Sequence, residues 1–213
     1  MIGVIVASNK EWEFVINYYS DIDIRESLYG SYFIKIINNK EVIFFKTGSR
    51  KIRSAGATQY LIDHYKLEKV LLIGTAAGVN HKYNLKDVLV PSIIVSGDTS
   101  FIEKGEGFNN KYVIDLDNES NIIIYSSDKP LIYKEDVENL LNNNVTLYDM
   151  EAFSVVDICK INNIDIKVIK GITDFPGNYS SDDEKQYLEY KENVNIVMKK
   201  ILDSYLEKYI LGE

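Results

Sequence analysis

The chain has 213 residues, 46% of them hydrophobic and 26% charged, with only 3 prolines. That is enough apolar material for one sizeable domain over residues 1–213, and it excludes a disordered or low-complexity chain. A formal net charge of −8 with dispersed basic residues argues against nucleic acid as a partner, and the single cysteine, Cys159, excludes an internal disulfide and a Cys/His zinc cluster.

The first apolar run, Ile2 to Ala7, has no basic leader and is followed at once by Lys10 and Glu11. It reads as a buried strand, neither signal peptide nor membrane span, and the cytoplasm is the expected location. A helix is predicted over Glu11 to Tyr19. Strands over Tyr32 to Ile37 and Val42 to Lys46 follow, joined by a hairpin at Asn38-Asn39, because Asn tolerates the positive φ of tight two-residue turns. A helix over Ile52 to Tyr65 leads to strands at Val70 to Ile73 and Val88 to Val95. Gly97 to Asn121 collects turn formers, among them Gly105, Gly107 and Asn109-Asn110, and reads as the least ordered stretch.

A strand at Asn121 to Tyr125 precedes a helix over Lys134 to Asn142, a strand at Thr146 to Tyr148, a helix over Ala152 to Ile161 and a strand at Ile166 to Ile172. The last helix runs from about Asp183 to Tyr209. Ser181 with Glu184 fits a capping box there, and Leu188, Val194, Val197, Ile201 and Leu206 read as one apolar stripe facing the core. Short apolar runs alternating with helical periodicity make this an α/β fold with strands buried on both faces.

In such folds ligands bind beyond the carboxyl ends of strands. Ser8 to Glu11 follows the first strand, Thr47-Gly48-Ser49-Arg50 the third, and Gly74-Thr75-Ala76-Ala77-Gly78 the fourth. The small residues of the last let the backbone approach a ligand, or serve tight packing only; they are neither a Walker loop nor a dinucleotide fingerprint. Later strands deliver Ser126-Ser127-Asp128, Asp149-Met150-Glu151 and Thr173-Asp174. Glu11, Glu151 and Asp174 can therefore converge in one cleft. Two of them have a bland alternative: Glu151 offsets a helix dipole, and Asp174 initiates a turn.

At these residues the sequence resembles the nucleoside phosphorylase and nucleosidase superfamily, above all its methylthioadenosine/S-adenosylhomocysteine nucleosidase branch. The likeness runs in order through Ile2 to Ala7 with Glu11, Thr47 to Ile52, Ile73 to Gly78, Lys86 to Val90, Asp149 to Ala152 and Ile172 to Asp174. It implies a three-layer α/β sandwich with a central mixed, partly barrel-like sheet flanked by helices. It further implies hydrolysis of a purine nucleoside's N-glycosidic bond without metal or organic cofactor, in a cytoplasmic homodimer. Asp174 would protonate N7 of the leaving purine, Glu151 hold the ribose hydroxyls and Glu11 deprotonate the attacking water, with Met150 against the sugar and Thr75 near sugar or nucleophile.

The departures matter as well. Bacterial-type phosphorylases carry a phosphate-binding arginine just before the glycine matching Gly74, whereas this chain has Leu72-Ile73, which favours water over phosphate. Arg50 replaces a glycine of the nucleosidases, so its guanidinium either binds an anion in the pocket or is solvated; Lys170 replaces an arginine near the water. Ser126-Ser127-Asp128-Lys129-Pro130-Leu131 puts Pro130 where an aromatic stacks on the base. A phosphorylase using Arg50 and Lys170, and a nucleoside-binding sensor without turnover, stay open at this point. Gly74, Ser126, Pro130 and Leu131 complete the expected substrate contacts. Phe175, Tyr179 and Tyr187 are candidate walls, while Cys159 and Trp12 read as core and no role is assigned to His64 or His81.

Overall fold

The computed structural model describes residues 1–99, 112–116, 120–131, 133–176 and 183–212. In chain order the elements are β1 (Ile2–Val6), α1 (Asn9–Tyr18), β2 (Arg25–Glu26), β3 (Ser31–Ile37), β4 (Lys40–Lys46), α2 (Lys51–His64) and β5 (Lys69–Gly78). Then come β6 (Val88–Leu89), β7 (Ile93–Ser96), β8 (Val113–Asp115), β9 (Ile123–Ser126), α3 (Lys134–Asn142), β10 (Leu147–Asp149) and α4 (Ala152–Ile161). The chain ends with β11 (Asp165–Asp174), α5 (Asp183–Lys200), a π-helical turn (Ile201–Leu206) and α6 (Glu207–Leu211).

All strands belong to one mixed sheet in the order β2-β3-β4-β1-β5-β10-β9-β7-β8, with β11 and β6 branching from β5. Among the described residues the sheet does not close, so the barrel-like part of the expectation gives way to an open, branched sheet. β1 runs parallel between β4 and β5 with every residue buried. Alternate side chains feed two cores. Ile5 and Leu72 pack with Leu61 of α2 and Val156 of α4, while Val6 and Ile73 pack with Trp12 of α1 and Val197 of α5. Helices therefore cover both faces, giving three layers.

Asn38 and Asn39 take φ of 48° and 61°, the paired positive values of the expected hairpin turn. Three expectations need correction. Val88 to Val95 splits into β6 and β7, because Pro91 between them has no N–H for a continuous ladder. Gly74 to Gly78 is no loop but the second half of β5, which stays paired with β11 as far as Ala77. Leu188 is 58% exposed and lies off the stripe that buries Val194, Val197, Ile201 and Leu206, since six residues from Leu188 to Val194 turn a helix well away from one face. The capping box at Ser181, the turn formers at Gly105, Gly107 and Asn109-Asn110, and Tyr179 lie outside the described residues.

Candidate active site

The site is built on the bend of β5. Its Lys69–Ile73 half pairs with β1, and Ala77–Gly78 pairs with the antiparallel β10, so among the described residues one edge of the strand has no strand partner at Gly74 to Ala76. Glu11 fills that gap. Its Oε1 accepts from the Thr75 N–H at 2.6 Å and from the Thr75 hydroxyl at 2.8 Å. The other oxygen accepts from the Ser8 N–H at 2.9 Å, and the Ser8 hydroxyl accepts from the Glu11 N–H at 3.2 Å, a capping box at the start of α1. Ser8-Asn9-Lys10-Glu11 carries the spacing of that motif in plain view, a signal the sequence reading passes over. Gly74 admits the carboxylate: a Cβ there would stand 2.7 Å from Glu11 Oε1.

Glu151 is the N-cap residue of α4, and its Oε1 accepts from the Arg50 N–H at 2.8 Å. Its own side chain does not cap the helix; Asp149 does. Asp149 accepts from the Ala152 N–H at 2.9 Å and from the Ser126 hydroxyl at 2.5 Å, and Ser126 Oγ in turn accepts from the Phe153 N–H at 3.0 Å. Lys170 of β11 completes the arrangement with Nζ 3.0 Å from Asp149 Oδ2. The Met150-Glu151 turn is thereby fixed from behind by buried polar groups, each of them satisfied.

Asp174 is placed by a bulge. β11 pairs with β5 in register to Ile172 opposite Ala76, but Asp174 stands opposite Ala77, so Thr173 is the extra residue that re-aims the acid. The Thr173 hydroxyl donates to Asp174 Oδ1 at 2.8 Å. Tyr190 reaches the site from α5, which packs on β11 so closely that a Cβ on Gly171 would stand 2.1 Å from Val197 Cγ1.

These groups surround a cavity of about 320 Å³. Glu11, Thr75, Met150, Glu151, Asp174, Pro130 and Leu131 line it as expected. Gly74, Ser126 and Lys170 stand in the layer behind, and Arg50 does not line the cavity either: its N–H holds Glu151 and its guanidinium donates to the Asp128 carbonyl. Phe175 packs on His81, and the Tyr187 ring, 51% exposed, lies under Lys10; Tyr148 and Tyr190 are the aromatic walls instead. Sequence reasoning misses Asp149 as a buried anchor and Tyr190 as a wall. Tyr190 stands four residues before Val194 and seven before Val197, so helical spacing alone could have found it.

The electrostatics separate the carboxyls. Burial, then the neighbouring Asp149 charge, pushes Glu151 up to about 7, against the pull of Lys170 and the Arg50 N–H. Burial also raises Asp174, with the Thr173 hydroxyl pulling it back. Burial alone would lower the Lys170 ammonium, but the charges of Asp149, Glu151 and Glu11 outweigh it and hold it cationic. Burial, then the charges of Glu11, Asp174 and Glu151, push Tyr190 up to about 12, so its phenol stays protonated. A carboxyl with a raised pKa, a carboxylate held by fixed donors and a carboxyl beside an aromatic wall can together move protons on either side of a small ligand. Among the described residues no group of three or more metal-ligating side chains gathers, and no helix is long and apolar enough to cross a membrane.

Comparison with known proteins identifies the family and the fold. The family model described as the phosphorylase superfamily matches residues 1–210, and the chain belongs to that family. Among curated relatives, the 5′-methylthioadenosine/S-adenosylhomocysteine nucleosidase of Bacillus cytotoxicus is 28% identical, covering 93% of this chain and 96% of the relative. A solved nucleosidase of the same name from Helicobacter pylori superposes with a TM-score of 0.81 at 20% identity, covering 94% of this chain and 95% of that one. Futalosine hydrolase of Helicobacter pylori superposes with 0.78 at 19% identity, covering 94% and 95%.

Proposed function

We propose that this chain is a nucleosidase: it adds water across the N-glycosidic bond of a purine nucleoside, of the 5′-modified kind named for its relatives, and releases the free base and the free sugar. The observation that carries the reading is the convergence of Glu11, Glu151 and Asp174 on one cavity, with Thr75.

In this mechanism Asp174 enters as the acid. Its raised pKa keeps a proton available for N7 of the purine, so that the base departs neutral. Positive charge then grows at C1′, and Glu151, fixed by the Arg50 N–H, accepts the ribose hydroxyls in hydrogen bonds that strengthen as the charge develops. Glu11 orients water on the opposite face and takes its proton as the new C–O bond forms. Met150 packs on the sugar, and Pro130 and Leu131 with Tyr148 enclose the base.

Phosphorolysis has little support. Among the described residues lining the cavity none is lysine or arginine: Lys170 is committed to Asp149 and the Arg50 guanidinium to Asp128. A phosphate dianion would meet four carboxyl residues, Glu11, Asp149, Glu151 and Asp174, and no fixed cation among the described lining residues. The same reading takes residues 1–213 as one domain working as a cytoplasmic homodimer, on the pattern of the family, and sedimentation of the purified protein tests the dimer.

The deciding experiment is release of free base from methylthioadenosine, adenosylhomocysteine, futalosine, adenosine and inosine, each with and without phosphate. Phosphate-independent release with free sugar is the expected result. Sugar 1-phosphate as product, or saturable binding of a nucleoside with no release, overturns it in favour of a phosphorylase or a sensor respectively.

A further inference from the structure

Arg50 stands in a backbone conformation that a side chain should not adopt. Its φ of 78° and ψ of 161° fall in a region that belongs almost entirely to glycine. It is also the N-cap residue of α2 and offers that helix no side-chain cap. One exposed hydrogen bond does not repay such strain, so the residue is held there by what it connects.

It connects two walls of the cavity. The Arg50 N–H donates to Glu151 Oε1 at 2.8 Å, while Nη1 donates to the Asp128 carbonyl. The next residue continues the grip: the Lys51 N–H donates to Asp128 Oδ1 at 3.0 Å, and its ammonium pairs with Asp98. Asp98 accepts from the Asp128 N–H at 2.9 Å and from the Ser127 hydroxyl at 2.6 Å. Asp128 is thus bound through its N–H, its carbonyl and its carboxylate, and two residues further on the same segment presents Pro130 and Leu131 to the cavity.

We propose that Arg50 is a positioning residue that fastens the Ser127 to Leu131 segment to the strand-helix junction carrying Glu151, fixing the width of the cavity between base wall and sugar wall. This deepens the nucleosidase reading and rests on it for its kinetic readout. The clamp acts on the bound nucleoside throughout the reaction. It therefore sets binding of ground state and transition state alike and shows in KM rather than kcat.

Two variants test it. Arg50→Gly keeps the N–H to Glu151, removes the guanidinium and relieves the backbone; Arg50→Ala removes the guanidinium and keeps the strained backbone. Both are expected to raise KM about tenfold with kcat within about twofold of wild type. Both should also speed amide exchange of Lys129 and Leu131. Arg50→Gly should at the same time melt about 2–4 °C above Arg50→Ala, which reads the backbone strain; the rise in KM at constant kcat is what a merely structural residue would not show. KM and exchange like the wild type's, in either variant, overturn the proposal. Should the wild type release base from no nucleoside, the nucleosidase reading fails, and the exchange of Lys129 and Leu131 still decides the clamp.

Discussion

Lys170 Nζ lies 3.0 Å from Asp149 Oδ2, and neither side chain is more than 2% exposed. A charge so deep is tolerable only with its partner, and here the pair carries the turn that presents Glu151. Lys170→Met leaves Asp149 buried and unpaired, which costs about 3–5 kcal/mol of folding free energy. Lys170→Arg keeps the charge and should lose less. Urea unfolding of the three proteins measures this; equal midpoints for wild type and the Met variant contradict it.

Asp174→Asn keeps the shape of the bulge at Thr173 and removes the proton donor. Base release should fall by about 10²–10⁴-fold while the melting temperature stays within a few degrees of wild type. Retention of most activity would take the acid role away from Asp174.

Glu151 links stability to pH. Its folded pKa, near 7, lies above its ordinary value of 4.5, so the folded state binds this proton more tightly than the unfolded state. Stability from this site is therefore full below about 4.5 and declines as pH rises to about 7, beyond which the loss is complete. Glu151→Gln has no proton to lose, so its stability relative to wild type should rise across that window and level off above it. Denaturant midpoints from pH 4 to 8 read this directly, and a relative stability that does not change with pH contradicts it.

Gly74→Ala would set a Cβ 2.7 Å from Glu11 Oε1. Glu11 cannot yield without breaking its bonds to Thr75 and Ser8, so the variant should lose about 1–3 kcal/mol and most of its activity together. Thermal unfolding and base release on the same preparation check the coupling.

Much of the scaffold was legible in the chain. Val70 to Ile73 is apolar without interruption, and Ile166 to Ile172 is apolar but for Lys167, Lys170 and Gly171, the composition of strands covered on both faces, and the spacing of Val194, Val197 and Ile201 declares a helix packed on them. Glu11, Glu151 and Asp174, which line one cavity, were legible as a group by residue type and by their places after strands. Leu188 was misread because hydrophobicity was counted without its angle around the helix. Tyr190 was missed because it stands in a polar stretch, although its spacing of four and seven residues to Val194 and Val197 puts it on the same helix face.

The sequence by itself determined which segments become strands and helices, since periodicity and turn chemistry are local properties. It also supplied the chemistry, because carboxyl, hydroxyl and amide groups are given by residue type. Which of these groups meet the ligand was decided by the tertiary structure alone. Side chains alternate along a strand, so the register of β5 against β10 and β11, and the one-residue bulge at Thr173, choose which of them face the cavity. The same assembly buries Lys170 against Asp149 and raises Glu151 and Asp174, because desolvation and charge pairing depend on neighbours brought from far along the chain.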